Sequence, residues 1–254
     1  MFFLCNWNTN LRPDLNHGSG INFMKLFIND KLINLIPKEE FDVTTPYDVV
    51  INNLGDLMPE TLKGKVLVQD TTFSHIDALI QLMELRKLKK LVSVTYVVDH
   101  YQEAKAFVKG QFKIVKAAGG IVRKRDRFLM IYRLGMWDLP KGKVDKNERT
   151  IEAAVREIYE ECQIKTLPGD KICSTWHTYV YEGKRILKKT TWYSLECLDD
   201  SQMMPQVEED IEDLRWMTHN EVDIALKNSY RSIEAVFDSY FEKFELQDEV
   251  KKAV

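Results

Sequence analysis

A chain of 254 residues, 44% hydrophobic and 30% charged, has room for two ordinary globular units and is neither disordered nor fibrous in composition. Its formal net charge of -3 gives no electrostatic case for wrapping nucleic acid, and no stretch approaches the ~20 apolar residues needed to cross a bilayer. The four cysteines, Cys5, Cys162, Cys173 and Cys197, lack metal-type spacing and read as reduced thiols, which suits a cytoplasmic protein.

Residues 1–23 read as a loose tail, in which Met1-Phe-Phe-Leu-Cys5 is too short for a signal-peptide core and lacks a basic start. Met24 opens a strand-like run and is an alternative start. Residues 24–112 then form an expected α/β accessory domain. Its strands are expected at Lys25–Ile28, Leu32–Ile36, Tyr47–Ile51, Lys65–Val68 and Val92–Val98, with helices over Ser74–Leu91 and Gln102–Val108. The basic run Arg86–Lys90 would suit the C-terminal end of the first helix. Asp70, His75, Asp99 and His100 are the candidates for chemistry here, although such isolated groups more often cap helices or sit in loops. We therefore expect an accessory or oligomerisation role, with a homodimer as one form.

The second unit covers residues 113–244, followed by a charged tail at 245–254 that is expected to fray from Asp248. Ala117–Arg123 and Arg127–Arg133 read as a hairpin around Lys124-Arg125-Asp126. Ser174–Tyr181 and Lys189–Cys197 alternate as strands around Glu182-Gly183-Lys184, and Asp213–Met217 is a further strand. Helices are expected at Val222–Leu226 and Ser232–Phe244.

Between these strands lies the most informative stretch. A helix advances roughly 100° per residue, so Glu157, Glu160 and Glu161 share an arc of about 100°, opposite Ile151, Val155, Ile158 and Cys162. Like charges at these spacings repel. Most Glu-rich faces are simply solvated, but this one follows a loop punctuated by Pro140 and Gly142, with Asn147 or Thr150 available as a cap. A hard divalent cation with oxygen ligands would relieve the repulsion.

The run from Gly142 fits G-x5-E-x7-R-E-U-x-E-E-x-G-U, where U is a bulky aliphatic residue. Gly142, Glu148, Arg156, Glu157, Ile158, Glu160, Glu161 and Ile164 all match. It resembles the signature of the Nudix hydrolases (the MutT-like family). Gln163 departs from it, standing where the pattern has Gly, so the helix must either end differently or hold Gln163 in the left-handed region at a cost of about 1 kcal/mol. The resemblance implies an α/β/α sandwich with a mixed sheet for residues 113–244 and says nothing about residues before about 110. It further implies hydrolysis of a nucleoside diphosphate linked to another group, with Mg2+ as cofactor and Mn2+ as the alternative.

By the same resemblance Glu160 and Glu161 are the principal metal ligands, and Glu157 is a ligand that also serves as base. Lys141 adds its carbonyl, Gly142 permits the loop's close approach, and Glu148 orients the loop. Arg156 holds neighbouring carboxylates in place rather than touching phosphate. A later acid often assists in this family; Glu209 is favoured over Glu208 and Glu212 in the acidic run before Leu214. Arg133, Lys143 and Lys189 are candidates to meet substrate phosphate, and Trp137, Tyr132 and Tyr181 to meet a base.

The expected substrate is a dinucleoside polyphosphate or a related nucleotide or diphosphoinositol polyphosphate. ADP-ribose or a nucleotide sugar is the alternative, as is a non-catalytic nucleotide sensor, which would have no need to keep three mutually repelling glutamates. An RNA pyrophosphohydrolase would want a basic track, and none is visible along the chain.

Overall fold

The structure is a computed structural model; it describes residues 23–252 except 43, 53, 54, 56, 70 and 71, with backbone only beyond 244. The expected N-terminal tail up to residue 22, with Cys5, and the candidate Asp70 lie outside the described residues.

The first half opens with a hairpin, β1 (Met24–Ile28) and β2 (Lys31–Pro37), joined by Asn29 and Asp30 at φ 49° and 59°. Two left-handed residues make the tight turn whose twist matches its strands, and Asn and Asp tolerate that conformation. Next come β3 (Val49–Ile51), β4 (Gly64–Val68), α1 (Phe73–Leu85), β5 (Leu91–Val98) and α2 (Tyr101–Gly110). β2, β5, β4 and β3 pair in parallel, and β2 and β5 are apolar and buried along almost their whole length, as parallel strands covered on both faces are. α1 stops at Leu85 rather than Leu91. Its buried stripe of Ile76, Leu79, Ile80 and Met83 ends there, and Arg86 is extended at φ -135°, so the basic run lies beyond the helix and does not serve its dipole.

The second half contains β6 (Lys113–Lys124), β7 (Arg127–Arg133), β8 (Met136–Asp138), β9 (Lys141–Lys143), α3 (Thr150–Cys162), β10 (Lys165–Tyr181) and β11 (Lys184–Asp199). It ends with β12 (Ile211–Thr218), α4 (His219–Ala225) and α5 (Arg231–Lys252). β10 begins nine residues before the expected Ser174, because Pro168, Gly169 and two register shifts between Pro168 and Cys173 mask its alternation. α5 extends through Lys252 into the expected charged tail, as the helix formers in Glu245-Leu-Gln-Asp-Glu-Val-Lys-Lys allow.

All the strands belong to one mixed sheet, ordered β12-β7-β6-β11-β10-β1-β2-β5-β4-β3, with β8 and β9 attached to β7 and β6. The β10–β11 hairpin is long enough to serve both halves: β11 runs parallel to β6, and β10 pairs with β1 at Leu26↔Trp176 and Phe27↔His177. Alternate residues of β6 face opposite layers. Ile121 joins Phe128, Trp192 and the α5 side chains Phe237 and Tyr240, whereas Val122 joins Ile158 and Cys162 of α3 with Leu195. The fold is α/β, with a large mixed sheet between helical layers.

α3 ends on Gln163 at φ 56°, ψ 34°, its N–H donating to Tyr159 O at 2.8 Å. The left-handed exit is kept despite the missing glycine, and the carbonyls left over at the helix end are met by Gln206 N on Glu161 O (3.0 Å) and Met204 N on Cys162 O (3.1 Å). Gln163→Gly is therefore expected to stabilise the fold by about 0.5–1 kcal/mol, read as a rise in denaturation midpoint at constant m-value. A fall in midpoint would show that the Gln163 side chain contributes more than its backbone strain costs.

Candidate active site

Arg156 on α3 organises the glutamate cluster. Its Nε and Nη2 donate to the two oxygens of Glu148 (both 2.9 Å), and Nη1 donates to Glu157 Oε1 (2.8 Å) and Glu160 Oε2 (2.9 Å). Nη2 also donates to Lys143 O at 2.9 Å, so all five guanidinium donors are engaged. Glu148 Oε2 in turn accepts Asp145 N (2.9 Å), which binds the loop before α3 to the same clamp, and Arg156 holds the Glu148 carboxyl below the usual carboxylate range. The helix start differs from expectation: Arg149 is the N-cap residue, and its backbone N–H donates to Glu152 Oε2 at 3.1 Å.

The three glutamates differ sharply in environment. The Glu160 side chain is 48% exposed, that of Glu157 12%, and Glu161 is 2% exposed as a residue. Glu161 Oε2 accepts Lys141 N at 2.9 Å and Oε1 lies 4.0 Å from Arg133 Nη1, yet burial still pushes its pKa up to about 7. Burial likewise raises Glu157 against the pull of Arg156. Gly142 is required for this packing, since a Cβ there would overlap the Glu157 carboxylate. That carboxylate is the movable end of a side chain, so Gly142→Ala is expected to displace it with little loss of stability and to weaken metal-dependent activity by roughly 10–100-fold. Unchanged metal dependence in steady-state kinetics would show that the position of Glu157 does not matter.

Among the described residues no three acidic, imidazole or thiol side chains already converge as a cage. The donor chemistry nevertheless fits magnesium, which takes only a few carboxylates and keeps waters and phosphate oxygens. Glu157, Glu160 and Glu161 supply hard oxygens on one helix face, and a buried carboxyl as reluctant to ionise as Glu161 is one whose charge a cation would balance. These three residues are the ones that would hold a divalent ion.

Beside the cluster opens a cavity of about 380 Å3, bordered by Arg133, Asp138, Lys141, His177, Lys188 and Trp192 among others. Asp138 is buried and accepts Leu139 N (2.8 Å) and Lys141 Nζ (2.5 Å). Burial first, then the neighbouring Lys141 charge, lowers Lys188 to about 8, while burial, then Lys188, lowers His177 to about 4 and keeps its ring neutral. Thr190 Oγ1 borders the same cavity and is buried without a hydrogen-bond partner.

Of the expected substrate contacts, Arg133 borders the cavity, but Lys143 is exposed on β9 and contributes its carbonyl to Arg156. Lys189 points to the opposite face of β11, where it pairs in register with Lys116 and Trp176 and lies 5.4 Å from the Trp176 ring. The neighbouring Lys188 takes the cavity side, in register with His177; a one-residue step along a strand reverses the face. Among the aromatic candidates, Tyr132 and Trp137 contact each other at 4.9 Å, with Arg215 over Trp137, and Tyr181 is exposed at a hairpin end.

Glu209 closes the 3-10 turn Val207–Glu209 and, like Glu208 and Glu212, is exposed. The hydrogen bond from Gln206 to Glu161 brings this acidic loop against the end of α3, and Glu212 sits at a register shift of β12. In the first half, His75 Nδ1 accepts Thr72 N (3.2 Å) as a helix cap, Asp99 pairs with Lys38 (3.0 Å), and His100 is the N-cap residue of α2. His177 and Asp138 were not singled out from sequence, and neither Lys188 nor Thr190 was assigned a contact of its own. The available signal was a basic residue in the alternation of an otherwise buried strand.

A glycine loop thus folds over a carboxylate helix that one arginine clamps, on a sheet between helices. Residues 113–237 match the NUDIX domain family model, and the chain carries a Nudix domain there. Among curated proteins it is similar to an RNA pyrophosphohydrolase of Brucella anthropi, 41% identical over 44 residues, covering 17% of this chain and 25% of that protein. Another from Rhodopseudomonas palustris is 33% identical over 79 residues, covering 31% and 42%. The chain thus spans less than half the length of these relatives. Similar solved structures include a C. elegans Ap4A hydrolase binary complex at 25% identity, covering 51% of this chain and 99% of that one with a TM-score of 0.38. A Nudix hydrolase from Nitrosomonas europaea is 20% identical, covering 52% and 72% with a TM-score of 0.40. No helix among the described residues is long and apolar enough to cross a membrane.

Proposed function

We propose that the protein is a divalent-metal-dependent pyrophosphohydrolase that cleaves a phosphoanhydride bond in a nucleoside diphosphate-linked substrate, a dinucleoside polyphosphate in the first instance. The observation that carries this reading is the Arg156 clamp, which fixes Glu148, Glu157 and Glu160 while leaving the guanidinium no donor for substrate. Glu157, Glu160 and Glu161 would hold Mg2+, with Mn2+ as the alternative; bound there, the ion neutralises phosphate charge and acidifies water. Glu157 Oε1 is occupied by Arg156, so Oε2, facing Gly142, is the oxygen that would take the proton of the attacking water. Burial raises its pKa, the direction that makes the carboxylate a stronger proton acceptor. Arg133, Lys141 and Lys188 would meet the phosphates on the cavity side. Glu209 is the assisting acid proposed from the late loop.

The test is a screen of the full chain against dinucleoside polyphosphates, nucleoside triphosphates, ADP-ribose and diphosphoinositol phosphates, with Mg2+, Mn2+ or chelator. Metal-dependent release of a phosphorylated product is expected. A folded protein inactive on all of them with metal present would be a nucleotide sensor instead.

The RNA pyrophosphohydrolase relatives favour a second substrate, the pyrophosphate-bearing end of an RNA. Folding gathers Lys105, Lys109, Lys116 and Lys171 around Lys189, a basic surface that is scattered along the linear chain. Such a surface suits a nucleic-acid backbone.

A further inference from the structure

The cavity beside the glutamate helix is not built by residues 113–237 alone. Phe27, Asn29 and Asp30, from β1 and its turn, form part of its wall. The turn is anchored on three sides. Asn29 Nδ2 donates to Met83 O on α1 (2.5 Å), and Arg231 N, at the start of α5, donates to Asp30 Oδ1 (2.9 Å). Phe27 packs with Leu32 and Ala235 and is paired in register with the cavity residue His177. A turn held in this way is a fixed wall rather than a mobile flap.

The cavity has two chemically distinct regions. The charges acting on Lys188 are those of Lys141, Asp138, Glu161 and Arg133; Asp138 is matched to Lys141 and Glu161 to Arg133, which leaves Lys188 as the unmatched cation of the group. The charges acting on Asp30 are a different set, Arg231 and Lys31. Around the turn the groups are acceptors and hydroxyls: Asn29, Asp30, Tyr230 and Ser232. A carboxylate has about four lone-pair sites, so Asp30 keeps acceptor capacity after taking the Arg231 N–H. Sugar hydroxyls could donate to these acceptors, as carboxylates bind ribose elsewhere.

Resting on the function proposed above, we infer that the β1–β2 turn is the specificity wall of this cavity. The phosphates of a nucleotide lie against Lys188, and its ribose hydroxyls donate to Asp30 and Asn29. The accessory half of the chain thereby selects a nucleoside-linked anhydride over a bare polyphosphate.

Calorimetric titration of the full chain with ADP, 2′-deoxy-ADP and inorganic pyrophosphate tests this without requiring turnover. Asp30→Asn keeps an acceptor for Arg231 N and suits a residue at φ 59°. It is expected to weaken ADP about tenfold, to narrow the preference for ADP over 2′-deoxy-ADP, and to leave pyrophosphate unchanged. Lys188→Met is expected to weaken all three. Equal effects of Asp30→Asn on ADP and pyrophosphate, no effect on either, or wild type binding none of the ligands would overturn the inference. If this pattern holds while the hydrolysis screen is negative, the reaction is wrong and the wall stands.

Discussion

Glu160→Gln is expected to lower metal-dependent hydrolysis by roughly three orders of magnitude while leaving the melting temperature unchanged. The two halves of this result have separate causes. Glu160 is half exposed, and its bond to the fold is a single hydrogen bond accepted from Arg156 Nη1, which a glutamine carbonyl can also accept. Shape and packing therefore survive. The lost charge is one of the few hard oxygen donors on the helix face, and magnesium replaces a missing carboxylate poorly. Steady-state rates across a magnesium titration are the readout. A variant as active as wild type would sink the assignment of Glu160 as a ligand.

Arg156→Ala is expected to act on stability and activity together, unlike Glu160→Gln. It would leave Glu148, Glu157 and Glu160 without their shared cation and free the Lys143 carbonyl, a loss of about 2 kcal/mol, between what exposed and buried pairs cost. Activity on the refolded protein should fall roughly 10–100-fold, because the carboxylates lose their orientation. Denaturant unfolding with parallel kinetics measures both. Arg156→Lys discriminates further: a lysine keeps the charge but cannot bridge three carboxylates, so it should recover stability better than activity. Full recovery of both by lysine would reduce the clamp to a simple charge.

The glutamate face was legible because a helix converts spacing into position directly, and Gly142, Glu148 and Arg156 fall at intervals that only one kind of loop and helix explains. The depth of that face was not legible. A helical arc places Glu160 and Glu161 side by side, but only the loop that donates Lys141 N distinguishes an exposed residue from one 2% exposed. On β11 the sequence pointed to Lys189, whereas Lys188 is the lysine on the cavity side, since the two differ by one residue and hence by a whole face. The contribution of residues 24–112 to the cavity was beyond reach, because Phe27 and His177 meet through a strand pair that leaves no local pattern. Likewise, the helix expected to reach Leu91 looked continuous because helix formers fill Arg86–Lys90, while tertiary packing ends it at Leu85.

The pairing of β1 with β10 has a consequence for synthesis. The chain emerges N-terminus first, so β2 can find β5 within some sixty residues, whereas the outer edge of β1 waits for Trp176 and His177, about 150 residues later. Until then Met24–Ile28 presents an apolar strand with unpaired backbone on one side, the kind of edge that templates aggregation. The nascent first half therefore carries an open seam that the later half closes, at the hairpin that walls the cavity.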